Sequence, residues 1–392
     1  MILHQEPFWF LNTKNTSYVM RVLPNKTLQH IHYGGRVSAD DFSYYNVFQD
    51  RAFSPRILMG PICTSHDIMP LEYPTFGRGD FRAPALRVEG LDGRDVNELQ
   101  YKSYEIISGK VHIPRMPQLD VNVDDRNTSN GAIYINNIAS LSVDFERADF
   151  DLISLEGSWA RERHICRRAL CQGTTSLESR RGSSSHQMNP FLALADKHTS
   201  EHWGGVYGFS LIYSADFKAL AEVSQYGDTR IQIGLNPETF SWKLEKGDSF
   251  MAPEAIMTYS DKGFNGMSHN FHQACRNHLG KSADPSVKHP LVINNWEATY
   301  FNMSDEIIKQ FLDDCKGLGI DTFVLDDGWF GRRCDDSSSL GDWFVDENKF
   351  SNGLHNVVNH CRENGMKFGI WFEPEMISRN SRLFEEIGRA HV

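Results

Sequence analysis

Long apolar runs, closely spaced cysteine pairs and an excess of basic charge are all missing from this 392-residue sequence. No apolar stretch approaches the roughly 18 residues of a membrane-spanning helix, so we expect no membrane span. The first residues show no basic end followed by an apolar run, and we therefore expect no signal peptide. No CxxC motif occurs, and the cysteine number is odd, which together predict reduced thiols and a cytoplasmic location. The seven cysteines are Cys63, Cys166, Cys171, Cys275, Cys315, Cys334 and Cys361.

The charge balance is acidic, with a formal net charge of −11 at pH 7. Such a balance disfavours nucleic acid and anionic membranes as partners. His269 and His272 lie three apart on a predicted helix, but no HExxH-type signature accompanies them. We therefore predict no metal and no cofactor. A metal-dependent hydrolase built on carboxylate pairs remains the competing hypothesis from a different chemical class.

Short alternating or β-branched runs dominate the sequence from residue 8 to about 285, and Gly, Asn, Asp and Pro separate them. Examples are SYVMRVL, VYGFSLIYS and TRIQIGL. This pattern predicts an N-terminal β-sandwich domain over residues 1–285. A helix over 266–279 closes the domain, because Met267, Phe271, Ala274 and Cys275 share one helical face. The small, polar, proline-bearing segment 280–290 is typical of a linker.

The sequence over 291–376 alternates strand, helix, strand, helix, strand, which is the opening of a (β/α) barrel. We assign residues 286–386 to the first three βα units of a truncated (β/α)8 TIM barrel, giving a multidomain β and α/β protein. Ser304 is the expected N-cap of the first long helix. Chemistry-bearing side chains cluster where the predicted strands end, and they are Trp296, Asp326, Asp327, Trp329, Trp371, Glu373 and Glu375.

Indoles beside carboxylates suit a neutral ligand with many hydroxyls, since an indole covers the apolar face of a sugar and carboxylates accept hydroxyl protons. Purely structural interpretations of these residues remain open. Asp326 and Asp327 precede a glycine and fit a simple turn, and Trp296 and Trp371 fit ordinary core packing. Glu373 and Glu375 also fit a catalytic pair, because retaining hydrolysis needs two carboxylates about 5–5.5 Å apart. They follow the predicted strand FGIWF (368–372), and residues two apart on a strand share a face, although Pro374 disturbs regular strand geometry.

Several long strings in this sequence resemble the bacterial-type α-galactosidases of glycoside hydrolase family 36. In the barrel part they are NNWEATYF, VLDDGWFG, SLGDWFV and KFGIWFEPEM. In the β-rich part they include QDRAFSP, EYPTFGRGDFRAPALRV, GSWARERH, SRRGSSSHQMNPF and YSDKGFNGMS. The stretch between YKSYEIISGK and ASLSVDF is shorter than the family pattern. The ending IGRAHV departs from it, so 387–392 is expected to be a non-native tail.

The resemblance implies a retaining α-galactosidase that acts on melibiose- and raffinose-type oligosaccharides. It implies that Asp326 and Asp327 bind galactose hydroxyls and that Trp296 and Trp371 line the sugar subsite. It implies that Asp50 lies on a loop that reaches a neighbouring subunit's active site, and hence a homo-oligomer.

The family's nucleophile lies in a Lys-Trp-Asp string, which this sequence lacks. The resemblance therefore implies an N-terminal fragment whose catalytic aspartates lie beyond its end, with Glu373 and Glu375 in supporting roles. The alternatives are galactosyl transfer by the same family and an inactive sugar-binding fragment.

Overall fold

A computed structural model describes residues 1–39, 42, 44, 48, 50–59, 62–77, 79–106, 124–126, 131–184, 186–279 and 289–387. The protein is mostly β-sheet with few helices. It divides into two compact units, residues 1–283 and 284–392. The predicted boundary lies two residues later. Most of the predicted linker, most of the shortened stretch after residue 106, and residues 388–392 of the predicted tail lie outside the described residues.

Unit 1 consists of short strands joined by turns. Its strands are β1 (Ile2–Gln5), β2 (Phe8–Asn12), β3 (Thr16–Val22), β4 (Leu28–Gly35), β5 (Ile57–Met59), β6 (Ile62–Thr64), β7 (Leu86–Gly90), β8 (Asp124–Arg126), β9 (Ile133–Phe145), β10 (Phe150–Ser158), β11 (Arg161–Ala169), β12 (Gly173–Glu178), β13 (Met188–Asp196), β14 (Val206–Ile212), β15 (Phe217–Val223), β16 (Thr229–Leu235), β17 (Trp242–Leu244), β18 (Ser249–Met251) and β19 (Glu254–Ser260). One short 3₁₀ turn, His66–Ile68, lies between β6 and β7.

The strands of unit 1 pair antiparallel into several sheets. The first four form a sheet in the order β1-β2-β3-β4. Two larger sheets follow, in the orders β11-β10-β13-β14-β19 and β12-β15-β16-β9-β17, and β7 also pairs with β9. The strand pairs β5-β6 and β8-β18 stand apart from these. Consecutive strands pair in the first sheet and in β5-β6, β10-β11, β13-β14 and β15-β16, as runs separated by Gly, Asn and Asp predict. The other pairs join strands that are farther apart in the sequence.

The main core of unit 1 takes side chains from both larger sheets. Phe150, Leu192 and Phe209 come from the five-stranded sheet, while Phe217 and Ile231 come from the six-stranded one. Strand residues point alternately to opposite faces, so each strand contributes every second side chain to this core. In β16 the face opposite the core is also buried, and that face carries the polar residues Arg230 and Gln232.

The predicted closing helix is confirmed, although it begins earlier than the apolar spacing indicated. It spans Gly263–Ala274 as α1 and continues as one π-helical turn, Cys275–Leu279. Met267 is buried against the five-stranded sheet. The start is fixed by Gly263, which has φ 65° and where a Cβ would lie 2.2 Å from the Ser200 carbonyl oxygen. Only glycine fits that backbone position.

Unit 2 alternates strands and helices as predicted. Its elements are β20 (Val292–Asn294), α2 (Trp296–Thr299), α3 (Asp305–Asp314), β21 (Thr322–Leu325), β22 (Ser351–Leu354), α4 (His355–Glu363), β23 (Lys367–Ile370) and α5 (Arg382–Ile387). Strands β20, β21 and β23 form one parallel sheet with β21 in the middle. The predicted non-native tail starts at Ile387, which is the last residue of α5.

Local signals in the sequence account for the helices of unit 2. The Ser304 hydroxyl accepts a hydrogen bond from the Ile307 amide, which confirms the predicted N-cap of α3. Ile308 and Leu312 from α3 pack with Phe323 from β21 and Val357 from α4 in one buried cluster. Helices therefore cover the sheet, as a parallel sheet requires. Within the described residues, no helix has both the length and the apolar character needed to cross a membrane.

Candidate functional site

The carboxyl ends of the three parallel strands bring the polar residues of unit 2 to one edge of the sheet. Asn295 follows β20, Asp326 follows β21 and Trp371 follows β23. The Asp326 amide donates to the Asn295 side-chain oxygen at 2.9 Å. The Trp371 amide donates to the Leu325 carbonyl at 2.9 Å. These bonds fix the three strand ends against one another, so the residues that follow them lie close together.

Asp326 and Asp327 form a tight turn at the end of β21. The Asp327 amide donates to the Asp326 carboxylate at 2.7 Å, and residues 327–328 form a turn. Gly328 follows with φ 105°, and a Cβ there would lie about 3.1–3.2 Å from Met303 and Phe301 side-chain atoms. The turn interpretation is thus present in the structure, and it leaves both carboxyl groups at the strand end.

Arg333 holds the Asp327 carboxylate from the side. Its Nε donates to Oδ1 at 2.9 Å and its Nη2 donates to Oδ2 at 2.8 Å. The pair is buried, with side-chain exposures of 4% for Arg333 and 9% for Asp327. Two parallel bonds of this kind fix the plane of a carboxylate as well as its position.

Further contacts hold Arg333 itself. Nη1 donates to the Ser338 carbonyl at 2.8 Å, and the guanidinium carbon lies 5.5 Å from the centre of the Phe301 ring. The Lys349 ammonium donates to the carbonyls of Gly328 at 2.7 Å and Arg333 at 2.8 Å. Lys349 therefore holds both ends of the loop segment 328–333 that follows β21.

Two other carboxyl groups at this edge, those of Asp326 and Glu373, have raised pKa values. Burial raises the pKa of Asp326, and the negative charges of Asp327 and Glu297 raise it further, while the hydrogen bond from the Asp327 amide acts in the opposite direction. Burial also raises the pKa of Glu373, with contributions from Glu375 and Asp327, and Arg333 lowers it. The edge is electrically negative, because its nearby guanidinium does not balance all of these carboxylates.

Aromatic rings border this acidic edge. The Trp296 ring centre lies 5.2 Å from that of Tyr300 and 5.1 Å from that of Phe301, both edge-on. The Trp371 ring lies 6.4 Å from that of the buried Phe330 in a stacked arrangement, so it packs in part against the core of unit 2. Both tryptophans are partly exposed. Trp329, by contrast, is buried in the core of unit 2, and its indole N–H donates to the Trp371 carbonyl at 3.0 Å.

The structure corrects one geometric expectation at the end of the third strand. The pattern FGIWF predicts a strand through residue 372, with Glu373 and Glu375 on one face beyond it. Strand β23 instead ends at Ile370, and the backbone over 371–375 is irregular. Pro374, which cannot donate to a sheet ladder, lies within this irregular segment. Glu373 is partly buried and Glu375 is exposed.

Asp50 belongs to unit 1, on an exposed loop. Its carboxylate forms an ion pair with Arg56 at 3.0 Å, and the arginine side chain is 64% exposed. The ordinary interpretation of this residue, a surface salt bridge within a loop, is therefore present in the structure. Its assignment as a substrate contact stays a prediction.

The sequence alone did not single out three residues that shape the site, namely Asn295, Arg333 and Lys349. Asn295 lies within the string NNWEATYF, and Arg333 lies two positions after the string VLDDGWFG. A basic residue six positions after a buried carboxylate was the available signal for Arg333. Lys349 offered no local signal, because its bonds go to backbone carbonyls that are 21 and 16 residues away in sequence.

Comparison with family models covers most of the chain. Residues 26–126 and 119–245 match the glycosyl hydrolase family 36 N-terminal domain, and residues 249–389 match the melibiase model. Among curated proteins, α-galactosidase AgaA of Geobacillus stearothermophilus is 40% identical over 96% of this chain and 57% of its own length. The chain thus spans a little over half the length of this relative.

Solved structures give the same answer for the fold. The crystal structure of the family 36 α-galactosidase AgaB from Geobacillus stearothermophilus superposes with a TM-score of 0.90 at 39% identity, covering 99% of this chain and 58% of AgaB. A variant of AgaA from the same organism, solved in complex with raffinose, also has a TM-score of 0.90 at 39% identity, over 97% of this chain and 58% of the variant. On these family matches, the chain belongs to glycosyl hydrolase family 36.

Proposed function

We propose that this chain carries the galactose-binding part of an α-galactosidase that hydrolyses terminal α-galactosyl residues with retention. The substrates proposed are α-galactosides such as melibiose and raffinose. In this proposal unit 1 is a β-sandwich and unit 2 supplies the first three βα units of a (β/α)8 barrel. The observation that carries the proposal is the pair Asp326 and Asp327 at the carboxyl end of a central parallel strand, where barrel enzymes place their sites.

The chemistry of this edge fits a sugar. Ionised carboxylates only accept hydrogen bonds, and a pyranose offers several hydroxyl donors. Asp326 and Asp327 are adjacent and can accept from neighbouring hydroxyls of one ring. A site built for one arrangement of hydroxyls leaves groups unpaired with the epimer, which gives discrimination of galactose from glucose. The partly exposed rings of Trp296 and Trp371 supply apolar faces for the ring C–H groups.

Bond cleavage is not assigned to any residue of this chain. Glu373 and Glu375 are adjacent acidic side chains, but the irregular backbone around Pro374 gives them no shared strand face. We assign them supporting roles, with Glu373 contributing negative charge beside Asp327. The nucleophile and the acid/base of the retaining mechanism are proposed to lie outside these 392 residues.

The proposed partners follow from the relatives. The raffinose complex of the AgaA variant supports α-galactoside oligosaccharides as ligands. A homo-oligomer in which Asp50 approaches the site of a neighbouring subunit is proposed on the family resemblance of its loop. A cytoplasmic location is proposed on the unpaired cysteines, since all seven are free thiols.

Calorimetric binding to the purified chain tests this proposal. Melibiose and raffinose should bind, while isomaltose, which keeps the 1→6 linkage of melibiose but has glucose in place of galactose, should bind at least about tenfold more weakly. The chain should release no nitrophenol from nitrophenyl α-galactoside. Equal binding of melibiose and isomaltose would remove the galactose assignment. Turnover that Glu373→Gln abolishes would instead make Glu373 catalytic.

A further inference from the structure

We propose that Arg333 is a positioning residue for galactoside recognition, acting only through the carboxylate of Asp327. The inference rests on the proposed function, because it gives Arg333 a role in the same sugar site. It goes beyond that function by naming the group that fixes the orientation of one sugar-binding acceptor, and thereby the discrimination between hydroxyl configurations.

The first step is geometric. An aspartate carboxylate turns easily about its last bond, since that torsion is broad. The side-on pairing with Arg333, through Nε to Oδ1 at 2.9 Å and Nη2 to Oδ2 at 2.8 Å, holds the carboxylate in the plane of the guanidinium. Each carboxylate oxygen has a second lone pair. Those second lone pairs then point in fixed directions, which is what selection between epimeric hydroxyls requires.

The second step concerns the rigidity of Arg333 itself. A positioning residue is effective when its own contacts hold it in one conformation. Arg333 donates to the Ser338 carbonyl at 2.8 Å, and its carbonyl accepts from Lys349 at 2.8 Å. Phe301, which packs against the guanidinium, also lies edge-on to Trp296. The carboxylate and one aromatic wall of the site are therefore held by the same arginine.

The third step is electrostatic. Asp327 lies near Asp326 and Glu373, since its charge contributes to the raised pKa of each. A buried carboxylate needs a charged partner. Arg333 is the charged partner of Asp327. Its guanidinium does not form this fork with Asp326. The two adjacent aspartates thus differ: Asp327 is held by a guanidinium fork, whereas Asp326 accepts a hydrogen bond from the Asp327 amide.

The alternative is that Arg333 only stabilises the loop after β21. A mutant cycle separates the two. The variants are Arg333→Met, Arg333→Lys, Asp327→Asn and the double variant Asp327→Asn with Arg333→Met. Arg332→Met is the matched control, because Arg332 is the adjacent arginine and is exposed. Melibiose and isomaltose affinities are measured by calorimetry on the full chain, alongside thermal unfolding and circular dichroism of each variant.

Arg333→Met should weaken melibiose binding about thirtyfold, because the sugar loses its hydrogen bond to a correctly oriented Asp327 carboxylate. It should also narrow the ratio of the melibiose and isomaltose affinities. Adding Arg333→Met to Asp327→Asn should cause no further loss of melibiose affinity, because both substitutions remove the same sugar contact, the one made by the Asp327 carboxylate. Arg333→Lys should restore only part of the affinity, because an ammonium lacks the planar fork. Arg332→Met should bind as the wild type does. If Arg333→Met does not fold, Arg333→Lys carries the same comparison.

Two results would overturn the proposal, and they are distinguishable. Wild-type melibiose affinity in folded Arg333→Met or Arg333→Lys makes the arginine structural and leaves the sugar site intact. A further loss when Arg333→Met is added to Asp327→Asn means that the arginine acts by another route. Absence of melibiose binding to the wild-type chain would instead remove the proposed function, and the positioning role with it.

Discussion

Buried arginine–aspartate pairing occurs in both units, but the two arrangements differ in charge balance. In unit 1, Arg230 and Arg82 meet Asp144 and Asp80, and the four side chains are at most 5% exposed. In unit 2, Arg333 meets Asp327 while Asp326 and Glu373 add negative charge nearby. The first arrangement pairs two arginines with two aspartates inside the fold. The second has more carboxylates than its one arginine neutralises, and we propose that these extra acceptors bind a ligand.

Arg230 joins the two aspartates of the unit 1 cluster, while Arg82 Nη1 approaches Asp144 only to 3.4 Å. Arg230 donates to both oxygens of Asp144 at 2.7 Å and to Asp80 at 2.7 Å. Burial alone would raise the pKa of Asp144, yet Arg230, Arg82 and the Leu71 amide lower it overall. A buried ion cluster of this kind specifies which segments meet. Removing one member is costly because its partners keep their charges without water.

The largest effect is expected from Arg230→Met. It should destabilise the protein by about 3–5 kcal/mol, because Asp144 and Asp80 would remain buried without this cation. Urea unfolding followed by tryptophan fluorescence measures it. Arg180→Met is the control, since Arg180 is 53% exposed and pairs with Glu178 and Glu238 at the surface. A loss below about 1 kcal/mol for Arg230→Met would contradict the structural role of the cluster.

The next effect concerns binding rather than folding. Asp327→Ala should weaken melibiose binding by about 1.5–3 kcal/mol, the range for a hydrogen bond to a charged group. In an active α-galactosidase built on this chain, kcat/KM should fall about a hundredfold by the same reasoning. Calorimetry and steady-state kinetics measure the two. Glu347→Ala, an exposed change in the same loop, is the control, and equal damage there would indicate general destabilisation instead.

A smaller change in stability is expected at Asp326, and it is a gain, whereas Arg230→Met causes a loss. Its pKa is raised in the folded state, so the folded protein holds the proton more tightly than the unfolded chain. Ionised Asp326 therefore costs stability, and the cost develops as pH rises above the usual aspartate value of 3.8. At pH 7, Asp326→Asn should raise the free energy of unfolding by a fraction of a kcal/mol, given solvent screening, and Tm should rise accordingly. The same change should weaken melibiose binding.

Thermal unfolding of Asp326→Asn and the wild type at pH 3.5 and 7 checks the sign. The stabilisation should be present at pH 7 and should shrink at pH 3.5, where the wild-type carboxyl is protonated as well. An unchanged Tm difference at both values would mean that the carboxylate charge is not the cause. Loss of stability at pH 7 would show that Asp326 is a structural turn residue.

The smallest effect is expected from Asp50→Ala. Its partner Arg56 is largely exposed, and such pairs contribute about 0–1 kcal/mol. The free energy of urea unfolding should change by less than about 0.5 kcal/mol. Galactoside turnover by an assembled enzyme, measured with the same variant, tests the separate prediction that Asp50 contacts substrate. Full activity would leave Asp50 as a surface salt bridge.

Much of the fold follows from local sequence pattern. Buried apolar strands alternating with capped helices specify β20, α3, β21 and α4, because side-chain periodicity and the Ser304 cap act within a few residues. The same pattern brings Asp326, Asp327 and Trp371 to one edge, since parallel strands end together. The end of β23 was placed too late, because apolar character alone does not show where the hydrogen-bond ladder stops.

The sequence by itself determined the family, the parallel order of unit 2 and the acidic pair at the end of a buried strand. Only the tertiary structure decided which charges neutralise one another. Arg230 reaches Asp80 across 150 positions, and Arg333 reaches back to Asp327 across a folded loop. Strand and helix preferences are local, whereas Coulomb energy depends on distance in space and on burial. Whether a buried carboxylate supports the fold or receives a ligand is therefore settled by its neighbours in three dimensions.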